Sequence, residues 1–228
     1  MLDRYWWGNV DRISPEAPVP VVHISSSTSA AGGAANVAAN ITGLGATSIL
    51  FGVVGNDLES DELSDAMGSA GVSSEFLVRS DSRTTIVKTR VVAHGQHVVR
   101  VDRETVAPLS QTEEAIVLQK LIPLISEANA VLISDYNKGL LTPGVLSAVI
   151  KEAKDKEIPI FVDPKGVDYS RYAGATLLTP NRREAIEACS LDEAVPDVIR
   201  KAGSTLLGLA KAENVLITQG ENGMTLFS

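Results

Sequence analysis

Two glycines, Gly32 and Gly33, open the run Gly32-Gly33-Ala34-Ala35-Asn36-Val37-Ala38, and Gly45 and Gly55 follow it. Paired glycines ahead of a helix let a ligand come close to the backbone and leave free N–H groups at the helix start. Asn36 falls in the first turn, where its amide can donate to and accept from the hydroxyls of a sugar. On local composition alone, the run reads equally well as a Gly/Ala-rich helix packed tightly on a sheet. Lys165 follows Asp163-Pro164 at a strand end, where a ligand-facing ammonium would hold a phosphate. Lys88 and Arg90 alternate on one face of a strand and would clamp a phosphate, or else stand as solvated charges. Asp135, Tyr136 and Lys138 are further pocket candidates without an assigned role.

Other patterns are weaker. Asn181-Arg182-Arg183-Glu184 opens a helix and by itself is an Asn cap with Glu at the third helical position. Thr218-Gln219-Gly220-Glu221-Asn222-Gly223 joins two strands, and a bare Gly-x-x-Gly there is usually a turn. His94 and His97 are three apart with no Cys, Glu or third His beside them, so a hairpin turn explains them better than a metal. Trp6 and Trp7 suit stacking on a sugar or burial. Asp3 alone reads as a solvated residue. No G-x-x-x-x-G-K-[ST] is present, which excludes a P-loop nucleoside triphosphatase. No G-x-G-x-x-G follows an early strand with an acidic residue downstream, which excludes a nicotinamide-binding domain.

The elements that must position these residues alternate. Residues 1–20 read as irregular, Val19–Ile24 as a strand and Ser25–Ser29 as a polar loop. A helix is predicted over Gly32–Leu44, a strand over Ser48–Val54, and a helix near 58–70 capped by Asp57. Thr84–Ala93 and Val98–Asp102 form a hairpin signal. Then come a helix over Thr112–Ala128, a strand over Ala130–Ser134, and a helix from Thr142-Pro143 to about Lys156. Strands at Ile158–Val162, Thr176–Leu178, Val215–Thr218 and Met224–Phe227 alternate with helices near 182–188 and 194–212. This rhythm implies an α/β fold with a largely parallel sheet covered by helices, and ligands at the carboxyl ends of its strands. The β-only pieces, 19–24 and 84–102, fall outside it and suggest a small separate sheet acting as a lid.

Composition limits the function classes. The chain has 228 residues, 44% hydrophobic and 21% charged, which suits one substantial α/β domain. A net charge of −8 argues against nucleic acid, which needs clustered cations, but not against a small anionic substrate. Cys189 is the only cysteine, so no internal disulfide forms. With no apolar run of membrane-spanning length and no evident signal peptide, a cytoplasmic protein without membrane contact is expected.

The run from Gly32 to Gly55 resembles the first signature of the ribokinase-like (pfkB-type) carbohydrate kinases, spacing included. Four further runs narrow the resemblance to the branch that phosphorylates a heptose phosphate: Leu2-Asp3-Arg4-Tyr5-Trp6, the stretch from Arg12 to Pro20, Ser134-Asp135-Tyr136 with Lys138-Gly139, and Asp163-Pro164-Lys165-Gly166. The resemblance covers essentially the whole chain. It implies a three-layer α/β/α fold with a mostly parallel sheet and a small β lid, in a single kinase domain over residues 1–228. It implies ATP and Mg²⁺ as cosubstrate and cation.

Residue by residue, it implies that Asp3, Gly32, Gly33 and Asn36 bind the sugar, joined by Lys88, Arg90, Asp135 and Lys165 on the substrate side. Asn181, Arg182, Arg183, Glu184, Thr218, Gly220 and Gly223 would serve the nucleotide. Glu184, through water, and Asn181 would place Mg²⁺. The family's base lies in an Asp-Thr-Gly-Ala-Gly-Asp run, and this sequence holds none. The expectation is therefore a kinase by descent that lacks the first strand and catalytic segment of the family, exposes a sheet edge at each break, and does not turn over alone. Alternatives are a kinase for another sugar phosphate and a non-catalytic sugar-binding module that dimerises through its lid strands.

Overall fold

The β-favouring side chains Tyr5, Trp6, Trp7 and Val10 set the conformation of the amino-terminal residues. In the computed structural model, which describes residues 1–228, Leu2–Ile13 is a strand, β1. Pro20–Ala31 is a second, β2, and pairs with it antiparallel. Both differ from the sequence expectation of irregular chain over 1–20 and a polar loop over 25–29. Serine-rich, solvent-exposed chain has little local β signal. It becomes a strand here because β1 supplies a ladder of partners, from Leu2 opposite Ala31 to Ile13 opposite Pro20. Pro20 is the first residue of its strand, where a missing N–H does least harm.

The chain falls into two compact units, Met1–Thr105 and Val106–Ser228. In the first, α1 (Ala34–Gly43), β3 (Gly52–Gly55), α2 (Leu58–Ser69), β4 (Leu77–Ser80), β5 (Val87–Ala93) and β6 (Gln96–Arg103) follow β2. The order β2-β1-β5-β6 gathers the expected lid pieces into one four-stranded sheet, with β1 between them and parallel to β5. His94 and Gly95, both at positive φ (51° and 75°), make the β5–β6 turn. The strand predicted over 48–54 shrinks to β3, which pairs with the unanticipated β4 in a separate two-stranded sheet. Asp57 caps α2 as expected, accepting the Ser60 N–H at 3.0 Å. Leu2, wholly buried, packs with Ala35, Ala38, Val54, Leu63, Met67, Val72 and Val87.

The second unit holds α3 (Gln111–Ile125), β7 (Val131–Ser134), α4 (Pro143–Asp155), β8 (Ile160–Asp163), a 3₁₀ turn (Tyr169–Tyr172), β9 (Leu177–Leu178), α5 (Arg182–Ala188), α6 (Val198–Ala210), β10 (Asn214–Thr218) and β11 (Met224–Phe227). Its sheet runs β11-β10-β9-β8-β7, parallel from β7 to β10, with β11 antiparallel at the edge. The α/β alternation read from the sequence is thus present here. The helix predicted from 194 starts at Val198, because Pro196 turns Val195 away from helical geometry and Asp197 is left-handed (φ 55°). Gly203 of α6 lies against the Phe227 ring, where a Cβ would come within 2.4 Å. No helix is long and apolar enough to cross a membrane.

Candidate active site

In the first unit, the glycine pair and Asp3 meet. The Gly32 N–H donates to the Met1 carbonyl at 3.0 Å, which fixes the end of β2 beside the start of β1. A Cβ on Gly32 would lie 2.7 Å from the Asp3 carboxyl carbon, so only glycine lets that carboxylate stay where it is. Gly33 caps α1 at φ 57°, ψ −132°, a mirror-image extended conformation that side chains avoid. Asn36 is exposed one turn further on.

Asp3, Lys88 and Arg90 share one face of the sheet. Asp3 lies opposite Lys88, and Tyr5 opposite Arg90. The Arg90 guanidinium reaches the Asp3 carboxylate at 2.8 Å and lies over the Tyr5 ring at 5.2 Å. Tyr5 in turn stacks on Trp7 at 5.8 Å. Lys88 pairs with Asp102 at 2.8 Å. The hydrogen bonds from Lys88 and then Arg100 hold the Asp102 carboxyl below its usual range. Both lid cations therefore have carboxylate partners within the sheet. Trp7 donates from its indole to Thr28 at 2.9 Å, and Trp6 and Trp7 are both partly exposed.

On the other face, Arg4 and Ser29 both bond the Glu62 carboxylate of α2. That bond from Arg4, ahead of the one from Ser29, holds the Glu62 carboxyl below its usual value. Sequence reading did not single out Glu62, because nothing local links a helix acid to strands 33 and 58 residues away.

In the second unit, the carboxyl ends of β7, β8 and β9 bring Asp135, Lys165, Asn181 and Glu184 together. Asn181 accepts the Glu184 N–H at 2.9 Å and donates its own N–H to Glu184 at 3.1 Å, which closes the capping box read from the sequence. The other Glu184 oxygen takes the Lys165 ammonium at 2.8 Å. This hydrogen bond raises the Lys165 pKa. Burial, then the Glu184 carboxylate, pushes the Asp163 carboxyl up, with Lys165 opposing.

Asp135 is buried, at 4% exposure, and accepts from the Asn137 N–H at 2.6 Å and the Tyr172 hydroxyl at 2.7 Å. Tyr172 was not foreseen. The one local signal near it is Asp168, whose carboxylate accepts the Ser170 N–H at 3.0 Å and starts the 3₁₀ turn that carries Tyr172 inward.

Beside α5 lies an open groove of ≈ 760 Å³, lined by Asn181, Arg182, Arg183, Ile186, Glu187, Glu193, Thr218, Gln219 and Gly220. Arg183 pairs with Glu187 at 2.6 Å and Arg182 with Glu193 at 3.2 Å, both toward solvent. Thr218 bridges to Asn181, and Gly220 and Gly223, at φ 59° and 80°, shape the turn from β10 to β11. Glu184 faces Lys165 and does not line the groove. No cluster of three or more His, Cys, Asp or Glu side chains is placed to hold a metal ion. His94 instead hydrogen-bonds the Val10 backbone from the hairpin turn.

The sequence model of the pfkB family carbohydrate kinases matches residues 2–228. Bifunctional protein HldE of Pelobacter propionicus is 45% identical over 230 residues, covering 100% of this chain and 47% of that protein. HldE of Methylobacillus flagellatus is 44% identical over 228 residues, covering 99% and 46%. The chain thus spans about half the length of these curated relatives. Phosphofructokinase-2 from Escherichia coli superposes with a TM-score of 0.78 at 21% identity, over 100% of this chain and 72% of that one. Arabidopsis thaliana ribokinase, complexed with ribose and ATP, gives 0.73 at 19%, over 99% and 71%. These structural likenesses establish the ribokinase-like α/β fold. With its sequence matched almost from end to end, the chain belongs to the pfkB family of carbohydrate kinases.

Proposed function

We propose that the chain binds D-glycero-β-D-manno-heptose 7-phosphate and Mg·ATP for transfer of the γ-phosphoryl group to the anomeric hydroxyl. The product is the 1,7-bisphosphate, which feeds ADP-heptose and lipopolysaccharide core synthesis in the cytoplasm. The observation that carries this reading is the close approach of Asp3 to Gly32, a carboxylate held over a glycine-opened helix start. A charged acceptor there binds sugar hydroxyls more strongly than a neutral one. Gly33 and Asn36 complete the sugar side, and Arg90 and Lys88 stand on the same sheet face for the distal phosphate. The HldE relatives, at 41–45% identity, support heptose over other sugars.

On the nucleotide side, the groove beside α5 has room for a nucleotide, with Arg182, Arg183, Thr218 and Gly220 along it and Gly223 closing the turn. Asp135 anchors the loop after β7. Lys165, which the resemblance placed on the substrate side, pairs with Glu184, so we assign it with Glu184 to phosphate and hydrated Mg²⁺, with Asn181 holding Glu184 in place. A magnesium ion that takes most of its ligands from water and phosphate needs only such sparse protein support. Transfer of this kind relies on positioning and charge stabilisation more than on covalent chemistry. With no Asp-Thr-Gly-Ala-Gly-Asp run to supply the base, residues 1–228 by themselves bind without turning over.

A second copy of the chain is the proposed partner, through the four-stranded sheet. Trp6, Ile24, Val99 and Val101 are 37–53% exposed on it, and sedimentation as a monomer alone would count against that pairing.

Isothermal titration tests the substrate assignment. The heptose 7-phosphate should bind about tenfold or more tighter than fructose 6-phosphate, the discrimination a site gains from a few placed polar groups. Gly32→Ala, whose Cβ would displace the Asp3 carboxylate, should remove that preference. Tighter binding of the hexose phosphate would refute the heptose reading.

A further inference from the structure

Tyr169 and Tyr172 sit on one 3₁₀ turn, tilted at 48° with ring centroids 6.0 Å apart, and both are buried, at 1% and 0% exposure. They differ in what their hydroxyls do. The Tyr169 hydroxyl has no hydrogen-bond partner in the chain. The Tyr172 hydroxyl donates to Asp135 Oδ2 at 2.7 Å and accepts the Lys165 backbone N–H at 3.2 Å. A Phe would fill the same space, so the hydroxyl needs a separate explanation, since burying a polar group is unfavourable unless it is bonded.

That explanation lies in what the hydroxyl joins. Asp135 follows β7 and Lys165 follows β8, and the Asp135 N–H donates to the Asp163 carbonyl at 3.0 Å, the last backbone bond between the two strands before Lys165. The Tyr172 hydroxyl adds a link from the Asp135 side chain to the Lys165 backbone. Arg171 reinforces it, with its guanidinium over the Tyr172 ring at 5.5 Å, a hydrogen bond to the Leu141 carbonyl, and 3.8 Å to Asp135. From the Lys165 backbone so fixed, the side chain reaches Glu184 at 2.8 Å, and Glu184 is locked to Asn181.

We infer that Tyr172 is a positioning residue for nucleotide binding: its hydroxyl, bonded to Asp135 and the Lys165 backbone, fixes the Lys165 ammonium against Glu184. The inference rests on the nucleotide-side reading of Lys165 and Glu184 given above. It adds a residue that touches no ligand, sits in the core and acts through another side chain.

Titration with Mg·ADP separates the two claims. The unaltered protein should bind. Tyr172→Phe should weaken binding about tenfold or more, the usual loss when a group supporting a ligand-holding side chain is removed. Tyr169→Phe, which removes a hydroxyl of equal burial but no bonding, should bind within about twofold of the parent, and heptose 7-phosphate binding should be unchanged in both. Lys165→Ala should lose as much as Tyr172→Phe, and the double variant no more than either, because the two act as one unit. Should Tyr172→Phe prove too unstable to titrate, Asp135→Asn weakens the same link from its other end and must show the same loss. A merely structural tyrosine predicts a lower Tm with unchanged Mg·ADP affinity, or losses that add in the double variant, and either result overturns the inference. Failure of the unaltered protein to bind Mg·ADP overturns the nucleotide reading, and the inference with it.

Discussion

Asp163 carries a charge in an unfavourable place. Burial and the Glu184 carboxylate raise its carboxyl pKa in the folded chain. The folded state therefore keeps the proton to higher pH than the unfolded chain does. The associated stability is present at low pH and is lost as pH rises through the folded value. Asp163→Asn removes this dependence. Thermal melts from pH 3.5 to 7 should show the variant gaining on the parent as pH rises, and a difference independent of pH would refute the assignment. The residue is partly open to solvent, so the effect should be modest.

At the level of elements, α2 is tied to the β2–β1 pair by one carboxylate. Glu62 accepts from Arg4 on β1 and Ser29 on β2. Its lowered pKa, caused first by Arg4, means that this contribution is full above the unfolded carboxylate range and is lost as pH falls through the folded value. Glu62→Gln should cost about 1 kcal/mol at neutral pH, toward the low end for a charged hydrogen bond because the pair is partly exposed. The Tm should fall by roughly 2–4 °C, and the gap to the parent should close at acidic pH. An unchanged Tm at pH 7 would show that the sheet holds its helix by apolar packing alone. In the second unit, the Thr142 cap on α4 was visible in the sequence, and the structure adds its hydroxyl bond to Glu114 at 2.5 Å.

For the whole molecule, the residues proposed for the sugar and for the nucleotide divide between the two units. Asp3, Gly32, Gly33, Asn36, Lys88 and Arg90 belong to Met1–Thr105, and Lys165, Asn181, Glu184, Thr218 and Gly220 to Val106–Ser228. Hydrogen exchange should separate them. Heptose 7-phosphate should protect amides around 32–36 and 88–90, and Mg·ADP those around 165, 181–184 and 218–220, because bound ligand suppresses local opening. Protection by the sugar phosphate confined to the second unit would refute the division of labour. The net charge of −8 makes local pairing decisive. Arg90 and Lys88 already face carboxylates, so a phosphate bound there as proposed would compete with Asp3 and Asp102 for them.

The sequence by itself determined the elements whose cause is local. These are the α/β alternation of the second unit, the caps at Asp57, Thr142 and Asn181, the His94-Gly95 turn, and the glycine pair opening α1. Each is written in a few neighbouring residues, since caps and turns depend on dihedral angles and hydrogen bonds within one turn of chain. Only the tertiary structure decided the rest. Residues 1–13 and 25–29 became strands through partners in each other and in β5. The reach of Glu62 to two strands and the bonding of Tyr172 to loops after different strands likewise depend on contacts between residues distant in sequence. Such contacts leave no local trace, because a polar strand or a buried hydroxyl is stable only once its distant partner is in place.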